Sequence, residues 1–208
     1  MRQFVVLSCF SLAATLSAQE FKHFTFELGA GFSQPVGNTG RHLDDGWNTR
    51  GGAGFNVSPW FGVMVEGGYN SFGINSFTLN NLGFPGGDVS IFSATLEPIV
   101  HLTPRSHFDL YVIGGGGLYR VRQEFTQPST ATLTAFDPFF GGFFPVTVPT
   151  TEILASYSIN KPGVNVGAGI ALGTKWHGKF FAEARYDRVF ITGDRHMDFL
   201  PISFGFRF

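Results

Sequence analysis

The sequence predicts an all-β protein, an eight-stranded antiparallel up-and-down barrel that crosses a membrane. Three observations predict it. Apolar residues recur at every second position in segment after segment, the period of a strand rather than a helix. Beyond residue 18 no apolar run approaches the roughly 18 residues of a membrane helix. Within the clear alternating segments, every charged residue falls on the face that lacks the aromatics.

The chain opens with MRQFVVLSCFSLAATLSA, one positive charge at Arg2, then an apolar stretch from Phe4 to Leu16, then small Ser17 and Ala18. This layout predicts a secretory signal peptide over residues 1–18, cleaved after Ala18. The stretch is short for a retained span of about 20 residues. Too few apolar residues precede Cys9 for a lipoprotein leader. The remaining 19–208 form the barrel domain.

The first strand, Phe24–Ser33, sets Phe24, Phe26, Leu28, Ala30 and Phe32 against Thr25, Glu27, Gly29, Gly31 and Ser33. Gly51–Val57 is a shorter second strand, weakened by glycine. Phe61–Asn70 and Phe92–His101 are the third and fourth. In the fifth, Tyr111–Val121, both faces carry apolar residues around Gly114–Gly117, so its orientation stays open. The sixth, Val164–Gly173, alternates Val, Val, Ala, Ile and Leu with Asn165, Gly167, Gly169, Ala171 and Gly173. Phe180–Asp187 is the seventh. The eighth sets Leu200, Ile202, Phe204, Phe206 and Phe208 against Pro201, Ser203, Gly205 and Arg207. Tight turns at Ser58-Pro59, Thr103–Ser106 and Trp176–Gly178 alternate with longer connections at 34–49, 71–88, 124–156 and 192–198. Short turns at one end and long loops at the other are the plan of a membrane barrel.

A soluble ligand-carrying barrel would show the same alternation with its apolar face turned inward. The charged residues decide between the two. Glu27, Glu66, Glu97, Glu183, Arg185, Asp187 and Arg207 share the small, polar face with glycine and serine. That face is a poor solvated surface but a good filling for a narrow lumen, which leaves the aromatic face to lipid.

Composition agrees. Charged residues are 14% of the chain, against about 25% in typical soluble domains. A net charge of −1 removes the electrostatic case for nucleic acid. The one cysteine lies in the leader, so neither a disulfide framework nor a cysteine zinc site is expected.

The closing Gly205-Phe206-Arg207-Phe208, with Tyr111–Tyr119 and Phe181–Tyr186, resembles the small OmpA/OmpX-type outer-membrane barrels of Gram-negative envelopes. The resemblance implies export to the outer membrane. It also implies partners among outer-membrane lipids, lipopolysaccharide and the barrel-assembly machinery, the last reading Phe206 and Phe208 as an assembly signal. It speaks to fold and address rather than to activity; no cofactor is expected, and with no catalytic pattern in the residues the chain is expected not to be an enzyme.

Eight strands leave an interior that side chains fill, so Glu66, Glu97, Glu183, Arg185 and Arg207 are expected to pair there as a plug. Arg120 and Arg122 join them if the fifth strand faces inward. An open porin needs more strands. A proton path through the same charges is weighed below the plug, because buried charges must be paired whatever their function. Lipid A-modifying barrels use a His near a Ser on the outer wall. None of the six histidines shows a close His-x-Ser spacing on a lipid-facing strand, so no catalytic residue or metal ligand is assigned.

The third long loop concentrates Phe136, Phe139, Phe140, Phe143 and Phe144 between Thr-rich flanks. Exposed apolar surface of this kind signals interaction. Three readings stay open: the rings fold over the barrel mouth, they dip into the outer leaflet or grip another surface, or they form a way in for apolar small molecules, as in OmpW-like barrels. The expected role is therefore envelope-structural or adhesive, with hydrophobic-compound uptake as the alternative and a lipid A-modifying enzyme behind both.

Overall fold

The computed structural model describes residues 23–104, 107–173, 178–193 and 195–208. The expected signal peptide lies outside them, as do parts of the second and third tight turns, at 105–106 and 174–177. Eight antiparallel strands follow one another in chain order, and the last closes on the first. They are β1 Phe24–Pro35, β2 Leu43–Ser58, β3 Phe61–Ile74, β4 Gly86–His101, β5 Phe108–Asp137, β6 Gly142–Gly173, β7 Lys179–Thr192 and β8 Arg195–Arg207. A row of paired residues leaving Glu27 passes Glu66, Thr95, Gly117 and Val189 and arrives at Met197. Glu27 itself pairs with Arg207 across the closing seam, so the sheet closes with a stagger of ten residues. That stagger tilts the strands and leaves the wall without a free edge.

The period-2 pattern sorts onto two surfaces. Phe26, Leu28 and Phe32 are exposed on the outer wall, while their neighbours Glu27 and Ser33 are buried in the lumen. The outward apolar run of β1 from Phe24 to Phe32 spans nine residues, close to the 9–11 or so that a tilted strand needs to cross a bilayer. Rings girdle both ends of it. Towards the loops, Trp47 packs on Tyr69 and Tyr69 on Phe92, at 5.1 and 4.6 Å between centroids. Towards the short turns, Phe180 packs on Phe206, and Phe206 and Phe26 both stack on Phe208.

The lumen is filled in three tiers. Leu43, Phe72, Ile91, Val121, Val189 and Phe199 close its loop end, with Leu79 packed among them. Met64, Ile99, Tyr111, Ile113 and Phe181 close the turn end. A polar belt lies between. These apolar tiers explain why β5 looks apolar on both faces in sequence: Tyr111, Ile113, Tyr119 and Val121 are buried, whereas Val112 and Leu118 face outward. Arg120 and Arg122 consequently point away from the lumen and are exposed, which corrects the conditional expectation that they join the plug.

The strands run further towards the loops than the alternation alone indicates. β2 begins at Leu43, so the first connection is shorter than 34–49. The connection read as 71–88 contains a short helix, α1 Ser76–Leu82. Asn75 caps its start by accepting the Thr78 N–H at 2.9 Å, and Gly83 ends it at φ 75°. β7 and β8 are separated by residues 193 and 194 alone. The largest difference is at 124–156, which is no irregular loop. β4 pairs with β5 only as far as Thr126. Past that point β5 and β6 pair with each other from Gln127↔Glu152 to Asp137↔Gly142. This two-stranded ribbon extends about 35 Å at the usual rise per residue. Its Thr- and Val-rich alternation suits strands, and Pro128, Pro145 and Pro149 are tolerated because its outer edges need no ladder donors.

Candidate functional site

Two arrangements carry the chemistry of the chain: the polar belt in the lumen and the tip of the ribbon.

The belt is organised around Arg185, which β7 aims inward and which is 2% exposed. Its Nη1 donates to both carboxylate oxygens of Glu97 at 2.8 Å and to Glu66 at 3.0 Å. Nη2 donates to the other Glu66 oxygen at 2.7 Å, and Nε donates to Glu183. One planar guanidinium thus engages three carboxylates, a use of its fork that no lysine could reproduce. Arg50 adds a 2.7 Å bond to Glu183. Nearer the turn end, Arg207 donates twice to Glu27, at 2.9 and 2.6 Å, and stacks 4.5 Å above the Tyr111 ring.

Within the belt, the buried acids Glu27, Glu66, Glu97, Glu183 and Asp187 face the buried arginines Arg50, Arg185 and Arg207. Neutral donors meet the excess. Tyr111 donates to Glu183 and Tyr119 to Asp187, each at 2.9 Å. Asn165 and Thr95 donate to Glu97 at 2.6 and 2.7 Å. Room for these long side chains comes from the glycines of β6. A Cβ on Gly169 would lie 2.4 Å from the Tyr111 phenol, and one on Gly167 would lie 2.6 Å from Arg185 Cγ. Among these side chains lies a polar cavity of about 10 Å³, lined by Asn48, Arg50, Glu66, Asn70, Asn165 and Arg185 among others. It has room for about one water.

At the turn end, His101 Nδ1 lies 2.8 Å from Asp109, and Lys179 donates to the same Asp109 oxygen at 3.1 Å. The three side chains thereby tie β4, β5 and β7 together at this end. Among the described residues, no three or more His, Cys, Asp and Glu are grouped to hold a metal.

Of the lumen residues singled out from sequence, the structure brings Glu66, Glu97, Glu183 and Arg185 into one cluster and sets Arg207 beside it on Glu27. Sequence reasoning missed Arg50, Asn165, Tyr111 and Tyr119. Arg50 lies one residue before the glycine-weakened strand expected at Gly51–Val57, and an asparagine or tyrosine on a lumen face carries no charge to mark it. Phe206 and Phe208 sit on the outer wall at the turn-end girdle.

The loop aromatics do not fold over the mouth; the apolar tier of Leu43, Phe72, Leu79 and Phe199 closes it instead. Phe136 and Phe143 face each other across the ribbon at 5.3 Å. Phe144 pairs with Ala135 on the opposite face. Phe139 and Phe140, at the turn, are 93% and 89% exposed. The turn is held by Asp137, whose carboxylate accepts the N–H groups of Phe139 at 2.8 Å and Phe140 at 3.4 Å. Gly141 completes it at φ 63°.

Solved structures share this architecture. Neisserial surface protein A superposes with a TM-score of 0.58 at 15% identity, over 89% of this chain and 96% of that one. A major outer membrane protein of Thermus thermophilus gives 0.56 at 12% identity, over 89% and 97%. Ail, the attachment invasion locus protein of Yersinia pestis, solved with the heparin analogue sucrose octasulfate, gives 0.50 at 17% identity, over 90% and 100%. No curated protein matches the chain in sequence. The family described as outer membrane protein beta-barrel domain matches residues 4–208.

Proposed function

The chain belongs to the outer membrane protein beta-barrel domain family, and from that premise we propose that it is a non-enzymatic surface-binding protein. The barrel is a closed anchor in the outer membrane, and the third hairpin binds a surface beyond the cell. One observation carries this reading. Phe139 and Phe140 stand almost fully exposed at the end of a ribbon that leaves the barrel behind, while the lumen beneath is packed with paired charges. Burying a phenylalanine ring is worth about 1.5–3 kcal/mol, so a tip that leaves such rings in water is poised to gain from a partner.

Uptake of small hydrophobic molecules would need an apolar lining that continues from the ribbon into the barrel. Gln127 and Glu152, bonded to each other at 3.1 Å, interrupt the ribbon at its base, and the ion-paired belt lies across the lumen below. Both weigh against that route.

The test is retention of the reconstituted protein on octyl-coated beads, comparing the wild type with F139S/F140S. Retention that falls at least about tenfold in the variant supports surface binding through the tip. Equal retention of the two proteins contradicts it.

A further inference from the structure

We infer that the ribbon tip is a shallow lipid wedge, built to enter the interfacial zone of a zwitterionic bilayer apposed to the cell. This deepens, and rests on, the surface-binding reading.

The shape of the tip selects the partner. Phe136 and Phe143 project from one face of the ribbon, Phe144 projects from the other, and Phe139 and Phe140 cap the end. A solid protein surface would meet one side of so narrow a protrusion. A fluid apolar phase closes round all sides and takes up every ring. The charge pattern selects the lipid. From Pro128 to Thr151 the ribbon carries a single ionisable side chain, Asp137. No basic residue is present there to seek phosphate-rich or acidic surfaces, and the one carboxylate sits beside the rings, where an anionic headgroup layer would repel it.

The backbone sets the depth. Past Thr126 and Glu152 each strand of the ribbon pairs only with the other, so its outer edges present free polar groups that hydrocarbon cannot satisfy. At the headgroup boundary, about 5–10 Å deep, water and lipid oxygens supply those partners. Pro138, next to Phe139, and Pro145, next to Phe144, bring no N–H of their own. Thr132, Thr134 and Thr147 follow on the Phe136 face and would lie among the headgroups while the rings pass beneath them.

The experiment uses the full chain, with F139W, reconstituted in nanodiscs. Vesicles of phosphatidylcholine brominated on the acyl chains are then added. Bromine is confined to the added vesicles, so quenching beyond that of the wild type reports entry of the tip. The expected result is saturable quenching that resists salt, falls at least about tenfold in affinity on vesicles of phosphatidylglycerol, and strengthens there in F139W/D137N. No quenching by phosphatidylcholine while octyl beads still retain the protein would overturn the lipid wedge and leave surface binding standing. Failure on both vesicles and beads would overturn both readings. Tighter binding to phosphatidylglycerol than to phosphatidylcholine would overturn the assigned lipid class.

Discussion

Arg185 and Glu97 meet inside the lumen, Nη1 lying 2.8 Å from each carboxylate oxygen, although they come from strands three places apart in the ring and 88 residues apart in the chain. The same guanidinium holds Glu66 and Glu183. R185A would leave three acids short of their shared counter-charge, so it is expected to destabilise the folded barrel by about 3–5 kcal/mol. R120A, on the exposed outer face, is expected to change stability by less than about 0.5 kcal/mol. Urea unfolding in lipid vesicles separates the two, and equal midpoints would show that the belt carries no such load.

A lumen filled by apolar tiers and an ion-paired belt should not conduct like a pore. In planar bilayers the wild-type protein is expected to give no steady conductance of porin size, because both ends are closed by apolar side chains and the middle by ion pairs. Long-lived, large openings in a single-protein preparation would show that the filling yields.

Gly169 faces the Tyr111 ring with no space for a methyl group. G169A should therefore cost about 1–3 kcal/mol through overpacking. A glycine at the ribbon tip offers a control: a methyl group on Gly142 would meet nothing within 4 Å, and G142A should leave the unfolding midpoint unchanged. A cost at Gly142 equal to that at Gly169 would remove packing as the explanation.

F139S/F140S should leave stability within about 0.5 kcal/mol of the wild type, because these rings touch so little of the barrel. Their substitution is expected to cost binding alone. A marked fall in the unfolding midpoint would show that the tip packs against the barrel in the membrane.

The eight strands were legible because membrane and lumen impose opposite demands on successive residues. Phe26 beside Glu27, or Phe206 beside Arg207, states the fold almost unaided. Legibility failed where that contrast vanished. Tyr111 and Ile113 line an apolar tier of the lumen, so β5 lost its polar face and its orientation with it. The first half of β2 hid behind Asp44-Asp45-Gly46, although Trp47 faces outward and Asn48 inward as the period requires. The 124–156 segment reads as a loop because Pro128, Pro145 and Pro149 look like breakers, whereas on the outer edges of a two-stranded ribbon they interrupt no ladder. Within the belt, charges were visible and neutral partners were not: Glu97 could be named from its strand, but the Asn165 and Thr95 that satisfy it depend on cross-strand register.

The division of labour between a closed barrel and a projecting ribbon is tested most directly by shortening the ribbon. In the variant, residues 130–149 are replaced by an Asn-Gly turn, and its migration on a gel is compared with and without boiling. The expected result is a band that still runs faster unboiled, as a folded barrel does, from a protein that no longer binds apolar surfaces. Loss of the fast band would contradict that division, because the ribbon would then be part of what holds the barrel together.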